Sequence, residues 1–273
     1  MIAAAMMTDA GTVNQSDQNG VGTVLVAVAL ALGVAALFGL WNGFLVATIG
    51  IQPIIATLIL MVAGRGVAQL ITEGQIITVN SAPYKVIGAG YWLTVPASVV
   101  IAAVIIVAAI LLTRRTALGM LVEAVGGNAE ASRLAGVRSR RIKLMVYVVS
   151  AVCAAVAGLM ISSNVSSADG NNAGLWMELD AILAVVIGGT SLMGGRFFIT
   201  GTVVGALLIQ TLTTTVHTAG ITPETTLLFK AVVVTAVCLI QSPAFRARVF
   251  GRRRPPPPVP RSTRERQKVE VPA

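Results

Sequence analysis

From Thr113 to Lys143 the chain reads TRRTALGMLVEAVGGNAEASRLAGVRSRRIK, a basic, glycine-punctuated stretch between two long apolar runs, Trp92–Leu112 and Leu144–Ile161. Runs of that length suit helices crossing a hydrocarbon layer about 30 Å thick. The stretch between them belongs in water, because six of its cations crowd its two ends and lipid tolerates charge poorly. Inside it lies a miniature helix signal: Asn128 as N-cap, Ala129–Ala135 as body and Gly136 as C-terminal stop. Glu130 in the first turn and Arg133 nearer the end both match the helix dipole. A short capped helix on the water side of a membrane protein suggests a docking element.

Composition agrees. Of 273 residues, 55% are hydrophobic and 11% charged, and the mean hydropathy is +0.84. Soluble domains carry about 25% charged residues, so the shortfall points to an integral membrane protein. Aromatics are only 5% and strand-type alternation is absent, which counts against a β-barrel and for an all-α, polytopic helical protein. Sixteen of the twenty basic residues fall in two segments that flank spans, seven between Arg114 and Lys143 and nine beyond Gln241. Membrane topology explains the net charge of +9 without a nucleic-acid partner.

Five runs read as spans: Val21–Trp41, Ile51–Ile71, Trp92–Leu112, Leu144–Ile161 and Phe197–Val216. Two are weaker. Thr226–Gln241 is short and carries Lys230, and Leu179–Gly195 ends in GGTSLMGG, so that a re-entrant segment is its alternative. Counting both makes seven spans and places every cation-rich segment on one side. With 113–143 in the cytoplasm, three of the external stretches, 1–20, 162–178 and 217–224, contain no Lys or Arg, the fourth, 72–91, contains Lys85 alone, and the basic tail is cytoplasmic. The expected organisation is an external N-terminal segment 1–20, a transmembrane domain 21–242 and a basic, Pro-rich tail 243–273. That tail reads as disordered or polyproline-like, a solvated topology-setting segment in the first place and an attachment to anionic membrane lipid as the alternative.

No catalytic constellation is visible. His217 stands alone, Cys153 and Cys238 lack metal-ligand spacing, and no metal site is expected. No GxxxxGK[ST] motif occurs in the sequence, and the Gly-rich segment Gly188–Arg196 suits close helix packing or a broken helix instead. Any ATP-driven work therefore falls to another chain, and no cofactor is expected in this one. Apart from Asp180 at the very start of the weaker run Leu179–Gly195, Arg65 and Lys230 are the only charges within spans. The absence of a central carboxylate counts against an ion-coupled carrier. The polar stretch Asn164–Asp180 is an ordinary loop or a contact for a delivered solute or soluble partner.

Several segments together resemble a known family. NAEASRLAGVRSRRIKLMVYVVSAVCAAVAGLM (Asn128–Met160), LDAILAVVIGGTSLMGGR (Leu179–Arg196) and FKAVVVTAV (Phe229–Val237) look like ribose/galactose-type ABC sugar permeases. Gly39–Thr72 and Asn171–Gly189 look most like the galactofuranose branch. The resemblance implies a permease subunit of a binding-protein-dependent importer in the bacterial inner membrane, not an enzyme. It would carry a monosaccharide, galactofuranose or a related sugar. The implied partners are a cytoplasmic ABC ATPase that binds ATP, a second permease subunit and a periplasmic sugar-binding protein. On this reading Glu123, Asn128, Glu130, Arg133 and Gly136 belong to the ATPase-coupling segment, and Asn42, Arg65, Asn171, Asn172 and Asp180 are pathway candidates. Family members usually begin with further spans, including a GGIDLSVG-like segment, so the resemblance implies that N-terminal spans are missing. The rival readings are a secondary sugar carrier and a truncated fragment that does not transport.

Overall fold

The computed structural model describes residues 21–218, save Asn80, Leu93, Leu192 and Met193, together with Ala3, Ala231, Val232 and Thr235. Most of the external segment 1–20, most of the expected span Thr226–Gln241 and the whole tail 243–273 lie outside the described residues. The chain divides into two compact units, Met1–Thr214 and Thr215–Ala273.

Five described helices are long and apolar enough to cross a membrane. Helix α1 (Val21–Phe44) runs on through a π-helical turn, Leu45–Ile49, and stops at Gly50 in the left-handed conformation. Pro53 opens α2 (Pro53–Thr72) at a position where its missing N–H costs nothing. Then come β1 (Ile76–Thr78), the short α3 (Ala82–Ala89), the two-residue strands β2 (Tyr91–Trp92) and β3 (Val95–Pro96), and α4 (Ala97–Arg115). After α4 follow α5 (Ala117–Gly127), α6 (Ala129–Leu134), α7 (Ser139–Val165), β4 (Ser167–Asp169), α8 (Met177–Ile187) and α9 (Ile199–Thr218). The helices of membrane length bury few of their side chains within the chain. Their apolar surface is a lipid- or partner-facing surface.

Four sequence-level expectations need correction. The span expected from Trp92 starts at Ala97, because Trp92 pairs with Val95 in a tight antiparallel turn. The helix expected from Leu144 starts at Ser139. At 27 residues, α7 is about 40 Å long, so it carries Arg140, Arg141 and Lys143 out of the hydrocarbon. The stretch 113–143 is not a plain loop, since it also contains the apolar helix α5. Leu179–Gly195 is not one continuous span: α8 has only 11 residues, about 16 Å, and gives way to a glycine turn.

The core is built on α1 and α7, which pack antiparallel. Val24 and Ala27 of α1 share a buried cluster with Val79, Tyr84 and Ala168, against which Leu159 of α7 packs. Toward the other end of α1, Gly39 meets Tyr147, Val148 and Ala151, and Gly43 meets Leu144 and Tyr147. Two glycines four apart let the backbones approach closely, where dispersion contacts replace the hydrophobic effect that lipid cannot supply. A β-carbon at Gly39 would lie 2.8 Å from the Ala151 side chain and 2.9 Å from the Tyr147 carbonyl oxygen.

Helix α3 is fastened to the far end of α7 by polar groups. The Ser163 hydroxyl, fully buried, donates to the Tyr84 carbonyl at 2.6 Å and accepts the Gly88 N–H at 2.8 Å. The Tyr84 hydroxyl donates to the Leu159 carbonyl at 3.3 Å. The ladder between β1 and β4 pairs Ile76 with Asp169 and Thr78 with Ser167, so the C-terminal ends of α2 and α7 lie together.

Substituting Gly39→Val should destabilise the α1–α7 contact by about 1–3 kcal/mol through overpacking. Gly33→Ala, on the same helix but with open space around it, should be neutral or slightly stabilising. Thermal unfolding of the detergent-solubilised protein, followed by loss of monodispersity, separates the two.

Candidate functional site

Two polar constructions occupy opposite ends of α7. At its N-terminal end lies α6. The Asn128 side chain accepts from the N–H groups of Glu130 (3.1 Å) and Ala131 (3.0 Å), which satisfies two of the donors a helix start leaves free. At the other terminus the Gly136 N–H bonds the Arg133 carbonyl and the Val137 N–H bonds the Ser132 carbonyl, both at 3.0 Å. That pair of bonds, with Gly136 at φ 85°, is a Schellman closure. Six residues are too few to hold a helix by propensity alone, so the two caps define it. Glu130 and Arg133 pair on its surface at 2.6 Å, an exposed contact worth well under about 1 kcal/mol. Glu123 sits half-buried one helix earlier, on α5.

The end of α5 touches a distant part of the chain. Gly126 and Gly127 pack against Gly194 and Gly195, in the turn between α8 and α9. A β-carbon at Gly194 would land on the Gly126 carbonyl oxygen, and Gly194 has φ 91°. Helices α8 and α9 in turn lie against each other through Gly188, Gly201 and Thr202, and through Gly205 against Ala184. The glycines of GGTSLMGG thus serve both a broken helix and close packing, and α8 plus its turn reaches the α5–α6 end. The α8–α9 turn thus touches the end of α5 at one point and the first turn of α9 at another.

At the opposite end, one face of α2 meets the loop after β4. Arg65, Ala68, Gln69 and Thr72 recur at helical spacing. The Arg65 guanidinium donates to the Asn171 carbonyl at 3.0 Å, and the Gln69 amide donates to Asn171 Oδ1 at 2.8 Å. Asn171 Nδ2 donates to the Gly74 carbonyl at 3.3 Å, and Gly170 fits against Thr72 and the Ala68 carbonyl. Asp169 organises the loop: its Oδ1 accepts from the N–H groups of Asn171 (2.8 Å) and Asn172 (3.3 Å), and its Oδ2 accepts from Asn172 Nδ2 (2.8 Å). The Asn171 N–H first, and the Asn172 side chain after it, hold the Asp169 carboxyl below its ordinary range against the opposing effect of desolvation, with the Asn172 N–H adding less.

Of the residues singled out in the sequence, Arg65, Asn171 and Asn172 come together. Asn42 does not join them. It is buried between Gly39 and Gly43 where α1 meets α7, and its Oδ1 has no hydrogen-bond partner. Asp180 lies in the first turn of α8, where its charge suits the helix dipole. Gln69 and Asp169 were missed by sequence reasoning. Arg65 and Gln69 at i and i+4, and the Asp-x-Asn-Asn turn, are the signals that could have found them. A cleft of about 710 Å³ is lined by α1, α2 and Leu144. Its side chains are apolar except for the Trp41 indole, so it lacks the hydrogen-bonding groups a sugar requires.

Because the Asp169 carboxyl is lowered in the folded state, its stabilising contribution is present above the ordinary carboxylate range and is lost as pH falls through the lowered value. Asp169→Ala should leave the loop donors unpaired at neutral pH. Hydrogen–deuterium exchange should then rise across residues 170–176 while α7 stays protected, and wild type should show the same loosening only in strong acid.

The family described as branched-chain amino acid transport system / permease component matches residues 1–238. The galactofuranose transporter permease protein YtfT of Escherichia coli (strain K12) is 54% identical over 226 residues, 83% of this chain and 66% of that protein. The fructose import permease protein FruF of Bifidobacterium longum (strain NCC 2705) is 42% identical, over 89% of this chain and 69% of that one. The ribose import permease protein RbsC of Escherichia coli (strain K12) is 38% identical, over 80% and 69%. The chain spans about two thirds of the length of these relatives. No solved structure matches it. With its membrane-length helices and a family match over most of its length, the chain is a multi-pass membrane protein that belongs to this permease family and, within it, to the ribose/galactose-type ABC sugar permeases.

Proposed function

We propose that this chain is the permease subunit of a binding-protein-dependent ABC importer, moving a monosaccharide of the galactofuranose type across the bacterial inner membrane. The observation that carries the reading is α6. It is a short helix fixed by caps at both ends, set together with α5 between the membrane-length helices α4 and α7 and framed by cations. The sequence has no phosphate-binding motif of its own. A rigid projection of this kind is what a separate ATPase needs in order to push on a membrane domain. The sugar identity rests on the relatives' names, which cover galactofuranose, fructose, ribose and L-arabinose.

On this reading the α5–α6 end is cytoplasmic, since Arg114, Arg115, Arg138, Arg140, Arg141 and Lys143 gather there. The N-terminus is then periplasmic and the C-terminal tail cytoplasmic. The Arg65–Asn171–Asp169 cluster faces the periplasm, where a sugar-binding protein releases its cargo. Glu123, Asn128, Glu130, Arg133 and Gly136 form or support the ATPase contact, and ATP is bound by that partner. A second permease subunit, the same chain or a paralogue, completes the pathway. When the ATPases close, α6 moves, and the Gly126–Gly194 contact passes the displacement to the α8–α9 pair, shifting the pathway between inward- and outward-open states.

Proteoliposomes holding this chain, the ATPase and the binding protein should take up galactofuranose only with ATP inside the ATPase compartment. Uptake that persists without ATP and follows an ion gradient would overturn the reading in favour of a secondary carrier. Replacing Asn128–Gly136 by a Gly-Ser linker should abolish uptake. Gly194→Ala should lower sugar moved per ATP hydrolysed by roughly tenfold while the ATPase stays bound, an uncoupling worth about 1.4 kcal/mol.

A further inference from the structure

The faces of α6 are the reverse of those expected for a surface helix. Its one buried side chain is a serine, Ser132, at 7% exposure, whereas Leu134 is 81% exposed. Ala131, Leu134 and Ala135, at i, i+3 and i+4, lie on one outward, apolar face. Exposed leucines on the membrane-length helices are met by lipid. Leu134 is not placed that way, because the cations at the end of α4 and the start of α7 put α6 on the aqueous side of the hydrocarbon.

The surroundings specify what covers it. Arg114, Arg115, Arg138, Arg140 and Arg141 are exposed around this end, and none forms an ion pair among the described residues. The ion pair found here, Glu130 with Arg133, is closed within α6 itself. Those two charges are therefore spent on each other, while the frame around Leu134 presents uncompensated positive charge. A complementary surface has an apolar pocket with an acidic rim. Glu130 lies one turn from Leu134 on the same side of the helix, and its pairing with Arg133 leaves it without a free charge to oppose an acidic rim.

We infer that Leu134 is the anchor of α6, seated in an apolar, acid-rimmed pocket of the ABC ATPase subunit, and that Glu130 and Arg133 shape the helix without carrying the contact. This inference rests on the coupling role proposed above. It moves the specificity of that contact from the charged residues, which sequence inspection favours, to a leucine that the charge pattern hides.

The test measures binding of the co-expressed ATPase subunit to the full chain in nanodiscs, either of phosphatidylcholine alone or with phosphatidylglycerol. Leu134→Asp should weaken binding roughly tenfold or more in both lipids, and Leu134→Met should retain it. The double variant Glu130→Gln, Arg133→Gln should lose far less binding than Leu134→Asp, because it removes only an exposed pair closed within the helix; a loss as large as that of Leu134→Asp would overturn the anchor. Unchanged elution and thermal stability of the purified variants show that the fold is kept. Full binding by Leu134→Asp, together with loss on replacing Asn128–Gly136 by a Gly-Ser linker, overturns the anchor but keeps the coupling role. Full binding by the linker variant overturns both. A Leu134→Asp defect seen only with phosphatidylglycerol assigns the leucine to lipid and also overturns the anchor.

Discussion

In hydrocarbon no water is available to backbone N–H and C=O groups, so each segment at membrane depth must satisfy its own or be covered by protein. That constraint orders the rest of the chain. It requires long helices where the sequence is apolar, and five described ones meet it. It confines the β ladders to pieces of two or three residues that join helix ends. Helix α8 can stop after 11 residues because the glycine turn that follows is packed against the ends of α5 and α9. A broken helix is tolerated where protein backbone closes over it, and here the closure needs residues without side chains.

Within that frame, the antiparallel α1–α7 pair ties the two ends of the molecule together. Helix α7 begins beside α6 and ends beside the Arg65–Asn171–Asp169 cluster, so one rigid element spans the distance between the proposed ATPase contact and the proposed sugar entrance. The contact between Gly126 and Gly194 adds a second route, from the foot of α6 to α8 and α9. Both routes are made of close backbone approach, which transmits displacement without the slack of long side chains.

Local signals were legible in the sequence and distant ones were not. The spans followed from hydropathy because lipid imposes a length. Helix α6 followed from Asn128 and Gly136 because capping is settled by neighbours in the chain. Helix α5 was missed because ALGMLVEAV lies inside a stretch whose cations dominate a reading by charge. The early start of α7 was missed because Arg140, Arg141 and Lys143 look like a loop, although a helix can carry charges freely once it has left the hydrocarbon. The break after Ile187 was ambiguous, since an apolar, glycine-rich run reads alike as a span or a turn until its packing partners are known. The Arg65–Asn171 bond joins residues 106 positions apart, and no local pattern announces it. Leu134 was passed over because a single leucine in a polar segment has meaning only once its exposure is known.

On the proposed function, α6 stands in the cytoplasm and is covered by a separate ATPase. A single cysteine there tests it most directly: Arg133→Cys in a chain with Cys153→Ala and Cys238→Ala, exposed to a membrane-impermeant maleimide. Labelling is expected in inside-out vesicles and not in right-side-out vesicles, with protection when the ATPase subunit is bound. Labelling from the outer face, or equal labelling with and without the ATPase, would contradict it.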